Sequence, residues 1–268
     1  MKNEKCLKSI IIEKFEDECL IKKEDVVIDE SRITICINGT KAISLMCIPK
    51  EQDVFAIGFL ISENIIETIN DIHSIEVSED GLHVTIQAKI NECSLENLHK
   101  EKTLLSGCGG GVTGNVTTNL ESSSNRISMS VAPKTIFAEI KKFYDNSELY
   151  LLTGCVHQAM IFLPNETKIT AEDIGLHNAV DKVLGKCQQI ALDTSISVLF
   201  LSGRLSSEMV VKAVMHKIPV VVSRTAPTSL GVQIADTYGV TLIGFARGQK
   251  MNIYTHAERI DRNNLKNI

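Results

Sequence analysis

The chain has 268 residues, 44% of them hydrophobic and 23% charged, a globular composition with room for one large domain or two ordinary ones. The formal net charge of −5 argues against nucleic acid as a general partner, and no apolar run reaches the roughly 18 residues that a membrane span needs. Because Met1 to Lys5 does not open a signal peptide, we expect a cytoplasmic protein with neither membrane nor nucleic-acid partners.

The first half of the chain has the pattern of β-hairpins with one helix. Asn38-Gly39 lies between two alternating apolar segments and suits a type I′ turn, and Asp80-Gly81 separates a second pair of segments. A polar stretch over 91–103 follows, without a predicted helix, and leads to the glycine loop at Cys108. We predict strands over 33–37, 42–48, 74–77 and 82–88, and a short apolar helix over 53–61.

The second half alternates strands and helices. The near-continuous apolar run at 195–201 is typical of a strand buried on both faces. The alternation predicts a parallel sheet with helices packed on it, and therefore an α/β fold. We divide the chain into a strand-rich N-terminal domain over 1–130, which ends in the Cys108 loop, and an α/β domain over 131–268. The predicted strands are 195–201, 220–223 and 240–245, and the helices are 133–144, 206–216 and 228–238.

An arginine follows each of the three predicted parallel strands. The carboxyl ends of parallel strands meet at one edge of the sheet, where ligands bind in open α/β folds. Arginine is a rigid, permanently charged donor to phosphate or carboxylate oxygens, and the helix N-termini that follow add backbone N–H groups. The pattern predicts a site for a polyanionic ligand, phosphate or nucleotide, at Arg204, Arg224 and Arg247.

Cys108 lies in the segment Ser-Gly-Cys-Gly-Gly-Gly. Glycine gives the backbone freedom and removes the side chains that would shield the sulfur, which favours an exposed, mobile thiol. The alternative is a tight turn with an incidental buried cysteine, since free cysteines are usually buried and inert. No two of the eight cysteines form a Cys-x-x-Cys pair, which argues against a zinc knuckle or a dithiol redox motif.

Two further segments carry polar side chains typical of functional sites. His157 follows Cys155 at the start of an apolar run, and Glu172 precedes His177 just before a predicted helix. His157 is either a ligand-binding residue or a hydrogen-bonded core histidine, and Glu172 is either functional or a helix-start residue. Metal binding by His157, His177 and Cys155 is conceivable, although the spacing matches no familiar site.

Together these segments resemble the FdhD family of formate dehydrogenase accessory sulfurtransferases. The resemblance spans roughly 41–256, and long motifs occur in the family's order. The similar stretches are Ala56 to Glu63, the loop at Cys108, Thr153 to His157, Glu172 to Lys182, Ser202 to Glu208, Ser223 to Thr228 and Gly244 to Gly248.

The resemblance implies a function, a fold and partners. Proteins of this family accept sulfur from a cysteine desulfurase as a cysteine persulfide. They pass it to the bis-molybdopterin guanine dinucleotide form of the molybdenum cofactor before its insertion into formate dehydrogenase. The resemblance also implies a cytidine-deaminase-like C-terminal domain, a homodimer and binding of guanine nucleotide. By match, the persulfide falls on Cys108 and the nucleotide-binding segment comprises Phe245, Ala246, Arg247, Gly248, Gln249 and Lys250.

One position departs from the family pattern. The family motif is Cys-x-x-Cys, and its second position here is Gly111, so any mechanism that needs a disulfide within the loop is in doubt. Cys108 alone suffices to be loaded and attacked. The rival hypothesis is a chaperone that binds and delivers the cofactor without transferring sulfur. A zinc nucleobase deaminase is a weaker rival, because the chain lacks His-x-Glu followed by Pro-Cys-x-x-Cys.

Overall fold

The structure is a computed structural model that describes residues 6–100 and 129–263, so Cys108 and its glycine loop lie outside the described residues. Within these ranges the strands form sheets of two, four and six strands. The strands are β1 (Leu7–Glu16), β2 (Cys19–Ile28), β3 (Ser31–Ile37), β4 (Thr40–Cys47), β5 (Ile72–Val77), β6 (His83–Ala88), β7 (His157–Phe162), β8 (Lys168–Asp173), β9 (Val198–Leu201), β10 (Val220–Ser223), β11 (Thr241–Arg247) and β12 (Lys250–Ile253).

The helices agree with the sequence pattern except for two that it did not predict, α2 and α4. In α2, Leu95 and Leu98 are three residues apart and buried, so this polar segment has one narrow apolar side. No helix in the described ranges combines the length and the apolar composition needed to cross a membrane. The helices are α1 (Gln52–Ser62), α2 (Glu92–Lys100), α3 (Pro133–Asp145), α4 (Glu148–Thr153), α5 (Leu176–Gln189), α6 (Ser207–Met215) and α7 (Ser229–Thr237).

The four-stranded sheet contains both predicted hairpins. Asn38 and Gly39 both have positive φ, 48° and 79°, as a type I′ turn requires. The order is β4-β3-β6-β5, and the parallel pairing of β3 with β6 joins the two hairpins. Its buried side chains, which include Ile33, Ile35 and Val84, pack in one core with the apolar residues of α1.

The β1–β2 hairpin was not predicted. Its turn residues Asp17 and Glu18 have φ of 51° and 63°, a conformation that favours glycine or asparagine, so the sequence carried little turn signal. Several apolar side chains on the hairpin are exposed: Ile11 is 71% exposed, Phe15 70% and Leu20 68%. The hairpin therefore presents apolar surface to its surroundings.

The six-stranded sheet confirms the predicted α/β fold. Its order is β12-β11-β10-β9-β7-β8, with β9, β10 and β11 parallel and the other three strands antiparallel to their neighbours. Residues of α3 pack on one face, and residues of α5, α6 and α7 pack on the other. All four residues of β9 and of β10 are buried, as expected for strands covered on both faces.

Helices α1 and α5 cross with their backbones in contact. A Cβ atom at Gly58 would lie 1.9 Å from the Asp181 carbonyl oxygen, and one at Gly185 would lie 1.8 Å from the Val54 carbonyl oxygen. Only glycine fits at either position. The crossing joins α1 of the predicted N-terminal domain to the sheet of the second half, so the predicted boundary at 130/131 separates parts that share a tightly packed contact.

Two buried ion pairs reinforce this contact. Lys182 Nζ lies 2.7 Å from Asp173 Oδ2, and the same carboxylate oxygen accepts from the Ile48 backbone N–H at 3.1 Å. Lys212 Nζ lies 2.7 Å from Asp181 Oδ1, which also accepts from the Ser62 hydroxyl at 2.9 Å. Because both pairs are almost completely buried, their specific hydrogen bonds determine how the two halves meet.

Candidate functional site

The loops after the parallel strands are tied to one another at the carboxyl edge of the sheet. The Gly203 carbonyl accepts hydrogen bonds from the hydroxyls of Ser223 (2.7 Å) and Thr225 (2.6 Å). The Thr225 carbonyl accepts from the Phe245 N–H at 3.1 Å. These bonds link the ends of β9, β10 and β11, so the edge that the sequence singled out has a defined geometry.

The structure brings His157 and His177 to this edge. His157 opens β7, which is antiparallel to β9, so its first residue lies beside the last residues of β9. Its Nδ1 lies 3.1 Å from Ser202 Oγ. Burial lowers the pKa of His157, and the positive charge of nearby His177 lowers it further, while Asp173 opposes the shift.

His177 pairs with Glu208, a residue that the sequence analysis did not single out. His177 lies in the first turn of α5 and Glu208 in the first turn of α6, and His177 Nε2 makes a short hydrogen bond to Glu208 Oε2. The remaining polar atoms of the pair, His177 Nδ1 and Glu208 Oε1, are buried and have no hydrogen-bond partner within the described residues. Buried polar atoms of this kind are typical of ligand sites.

Arg224 is held by an aromatic ring. Its guanidinium carbon lies 3.8 Å from the centroid of the Tyr144 ring, which comes from the last turn of α3. Burial raises the pKa of Tyr144 to about 12, so its hydroxyl stays protonated and donates to the Ser202 carbonyl at 3.3 Å. Arg224 Nε is buried without a hydrogen-bond partner in the described residues. No sequence signal distinguished Tyr144, because it lies on an ordinary amphipathic helix.

Arg204 and Arg247 lie in surroundings that differ from those of Arg224. Arg204 is exposed in the loop after β9. The prediction that Arg247 follows its strand as the other two do was wrong: β11 continues through Arg247, and a tight turn at Gly248-Gln249 leads into β12. The reason is a bulge between Gly244 and Arg247, where Phe245 has φ of 52°.

The nucleotide-binding segment predicted by match, 245–250, therefore forms the end of a hairpin. Ala246 is buried, while Arg247, Gly248, Gln249 and Lys250 are exposed. A cavity of about 550 Å³ opens beside this turn and is lined by Gly248, Gln249, Asp261 and residues at the start of α3 that include Pro133 and Lys134. Part of the predicted segment thus lines a cavity.

Glu172 and Cys155 are the two remaining candidates from the sequence. The Glu172 carboxylate accepts from the Leu149 N–H at 3.2 Å and from the Ser147 hydroxyl, so it caps the start of α4. Cys155 is exposed in the short loop between α4 and β7. Within residues 6–100 and 129–263, no three His, Cys, Asp or Glu side chains are grouped as metal ligands.

Comparison with known proteins assigns the chain to a family. Residues 28–261 match the FdhD/NarQ family. The sulfur carrier protein FdhD of Wolinella succinogenes is 51% identical over 256 residues, covering 95% of this chain and 90% of that protein. The protein of the same name from Sulfurisphaera tokodaii is 34% identical, covering 95% of this chain and 99% of its own length.

A solved structure supports the same assignment. The crystal structure of a protein described as a formate dehydrogenase accessory protein, from Desulfotalea psychrophila, superposes with a TM-score of 0.76 at 25% identity. The match covers 95% of this chain and 98% of that one. The motifs, the fold and the similarity along nearly the whole length agree, and the chain belongs to the FdhD/NarQ family.

Proposed function

We propose that this chain carries sulfur for the maturation of formate dehydrogenase and that Cys108 bears the sulfur as a persulfide. The observation that carries the proposal is the similarity to sulfur carrier proteins along nearly the whole chain. The glycine-rich sequence around Cys108 supports it, because small neighbours allow a sulfur atom to approach a partner closely. Formate dehydrogenase is the proposed client.

The proposed sulfur source is a cysteine desulfurase. The Cys108 thiolate attacks the outer sulfur of the desulfurase persulfide, one S–S bond forms as another breaks, and the desulfurase cysteine leaves as a thiolate. Electrons and atoms balance, since no sulfur is oxidised or reduced overall. Cys108 then gives this sulfur to the molybdenum of the bis-molybdopterin guanine dinucleotide cofactor: the S–S bond breaks, Cys108 leaves as a thiolate, and reduced molybdenum of the substrate supplies the two electrons that convert the outer sulfur to a sulfide ligand.

The nucleotide parts of that substrate are proposed to bind at the carboxyl edge of the six-stranded sheet. Arg224, Arg204 and His177 supply cationic or N–H groups for phosphate oxygens there. The cavity of about 550 Å³ beside Gly248 and Gln249 is large enough for a nucleobase. Guanine presents two adjacent donors, N1–H and the 2-amino group, and the Asp261 carboxylate on the cavity wall is a matching acceptor. GDP is therefore a suitable partial mimic of the cofactor.

A homodimer is part of the proposal, with the β1–β2 hairpin as the contact. In the described part of the chain, β2 pairs only with β1, so its outer edge lacks a strand partner. Pairing of this edge with the same edge of a second copy covers apolar side chains that are exposed in one chain, such as Leu20 and Ile21. Light scattering of wild type and Ile21→Glu tests it: a wild-type dimer with a monomeric variant supports the hairpin contact, and two identical dimers contradict it.

Maturation of formate dehydrogenase tests the central proposal. In cells that lack their own FdhD protein, the wild-type chain should restore formate dehydrogenase activity and Cys108→Ala should not. Cys93→Ala removes another thiol, exposed in α2, and should restore activity as the wild type does. Full activity with Cys108→Ala would overturn sulfur transfer. It would favour the cofactor chaperone, for which the glycine at position 111 is the supporting observation.

A further inference from the structure

Ser202 connects the end of β9 to His157 through its hydroxyl group. Ser202 Oγ accepts a hydrogen bond from the Gln158 backbone N–H at 2.9 Å, and His157 Nδ1 lies 3.1 Å from the same oxygen. The amide can only donate, whereas the hydroxyl has one proton of its own to donate. Nδ1 is the acceptor within reach of the Ser202 hydroxyl proton among the described residues, and this donation leaves the imidazole proton on Nε2.

The surroundings of His157 favour this neutral form. The ring is about half buried, and burial lowers the pKa of His157. The charged groups around it come from several elements: His177 on α5 lowers this pKa further, Asp173 on β8 raises it, and Glu208 on α6 is hydrogen-bonded to His177. Arg224 adds positive charge at the same strand edge. Burial, the largest cause, lowers the pKa of His157 and so favours the uncharged ring.

The second ring nitrogen of His157, Nε2, differs from Nδ1 in its partners. A Cβ at Gly203 would lie 2.6 Å from Leu176 Cδ2 and 3.5 Å from His157 Cε1, so the Leu176 side chain packs against Gly203 beside the ring. Within the described residues, Nε2 makes no hydrogen bond, while Nδ1 is occupied by Ser202. The same Gly203 accepts hydrogen bonds from Ser223 and Thr225, which places the ring beside the loop that carries Arg224.

We propose that Ser202 is a positioning residue that holds His157 as a neutral donor, with its Nε2–H serving a phosphate oxygen of the bound nucleotide. The ligand part of this inference rests on the proposed binding of guanine nucleotide, whereas the Ser202 part does not. Ser202 sets the tautomer, the Nε2–H has no hydrogen-bond partner within residues 6–100 and 129–263, and Arg224 supplies the charge. A neutral donor beside an arginine adds a directed hydrogen bond without a further cation.

The tautomer is measured directly by NMR. The full chain with ¹⁵N-labelled imidazoles gives long-range ¹H–¹⁵N spectra at pH 7, and His157→Gln assigns the His157 signals by their loss. We expect a protonated Nε2 and a bare Nδ1. Ser202→Ala should remove this preference and Ser202→Thr, which keeps a hydroxyl, should retain it. Ser223→Ala removes a buried hydroxyl at the neighbouring strand end and should leave the His157 tautomer unchanged.

Two results would overturn the Ser202 part. One is a wild-type His157 that is an imidazolium, or that carries its proton on Nδ1, at pH 7. The other is a Ser202→Ala spectrum identical to that of the wild type. Should Ser202→Ala fail to fold, the wild-type spectrum and Ser202→Thr still decide, because a hydroxyl-bearing variant with a changed tautomer contradicts the inference.

Calorimetric titration with GDP tests the ligand part. Removing a hydrogen bond to a charged group should weaken binding about 10-fold or more in His157→Leu. His157→Gln, which keeps a neutral N–H donor, should recover most of that loss. Unchanged affinity in His157→Leu would overturn the assigned donor. A wild-type chain that does not bind GDP would overturn the proposed nucleotide site and this ligand, and the NMR spectrum would still decide the role of Ser202.

Discussion

Replacing Gly58 by alanine tests how tightly α1 is held to α5. The new Cβ would lie 1.9 Å from the Asp181 carbonyl oxygen, and 2.9 Å from the Gly185 nitrogen. An ordinary contact of about 3.4 Å requires the two backbones to separate by about 1.5 Å, and a gap of 0.5–1 Å already forfeits a quarter to a half of a dispersion contact. The substitution therefore removes most of the contact energy along the crossing.

Helix propensity acts in the opposite direction. Alanine in a helix interior is favoured over glycine by about 0.8–1 kcal/mol. Any net loss of stability must therefore come from the steric overlap of the new Cβ with the backbone of α5. Overpacking costs about 1–3 kcal/mol where side chains can give way, and here the obstructing atoms are backbone. We expect Gly58→Ala to lower the free energy of unfolding by about 3 kcal/mol, which corresponds to a melting temperature lower by roughly 6–12 °C for a chain of this size.

Urea denaturation followed by circular dichroism, together with a thermal scan, measures this loss. Gly185→Ala should have a similar effect, because its Cβ would lie 1.8 Å from the Val54 carbonyl oxygen. The double variant should lose less than the two single losses combined, since the first substitution already separates the helices. A Gly58→Ala protein as stable as the wild type, or more stable, would refute the close crossing.

Three further predictions concern ion pairing, the site and pH. Lys212→Met leaves the buried Asp181 carboxylate without its cation and should cost about 3–5 kcal/mol in urea denaturation, most of which a second change, Asp181→Leu, should restore. Tyr144→Leu removes the ring stacked on Arg224 and should weaken GDP binding about 2–30-fold by calorimetry, whereas Tyr144→Phe keeps the ring and most of the affinity. Burial lowers the pKa of His216 to about 3, so the unfolded chain binds a proton that the native chain excludes. The free energy of unfolding should fall by about 1.4 kcal/mol per unit as pH drops below 6.5, and His216→Gln should reduce this slope.

Each of these predictions has a contradicting result. A double variant of the ion pair no more stable than Lys212→Met would show that the buried charge is not the source of the loss. Equal GDP affinity in Tyr144→Leu and the wild type would remove the stacked ring from the site. An unfolding free energy that does not change between pH 6.5 and 5 would mean that His216 has the same pKa in the native and the unfolded chain. Because the pKa of His157 is also lowered in the native chain, His157 does not offset the effect of His216.

Much of the fold could be predicted because short stretches of sequence carry the signals for its turns and buried strands. Asn38-Gly39 predicted its turn, and the apolar runs of β9 and β10 predicted buried parallel strands. The β1–β2 hairpin lacked a glycine or asparagine turn and the apolar alternation of a half-buried strand, since most of its side chains are exposed. Helix α2 depends on two buried leucines in an otherwise polar segment, a signal too narrow to separate from a loop.

The site could be predicted only where the type and sequence position of a single residue indicated a function. Arginines after strands indicated the edge of the sheet, and the structure places His157 and His177 there. Glu208, Tyr144 and Ser202 lie at the site because segments that are distant in the sequence come into contact in the fold. Local sequence patterns do not predict such contacts. Arg247 was misplaced because a bulge extends its strand, and the backbone conformation of Phe245 that produces the bulge is unusual for a phenylalanine.

Mass spectrometry of the intact protein tests the central claim most directly. The chain is incubated with a cysteine desulfurase and cysteine, beside Cys108→Ala and the exposed-thiol control Cys93→Ala. The account predicts a gain of one sulfur atom, about 32 Da, in the wild type and in Cys93→Ala, reversed by reductant and absent from Cys108→Ala. Equal loading of Cys108→Ala, or no loading of the wild type while a relative with both loop cysteines is loaded, would contradict Cys108 as the sulfur carrier.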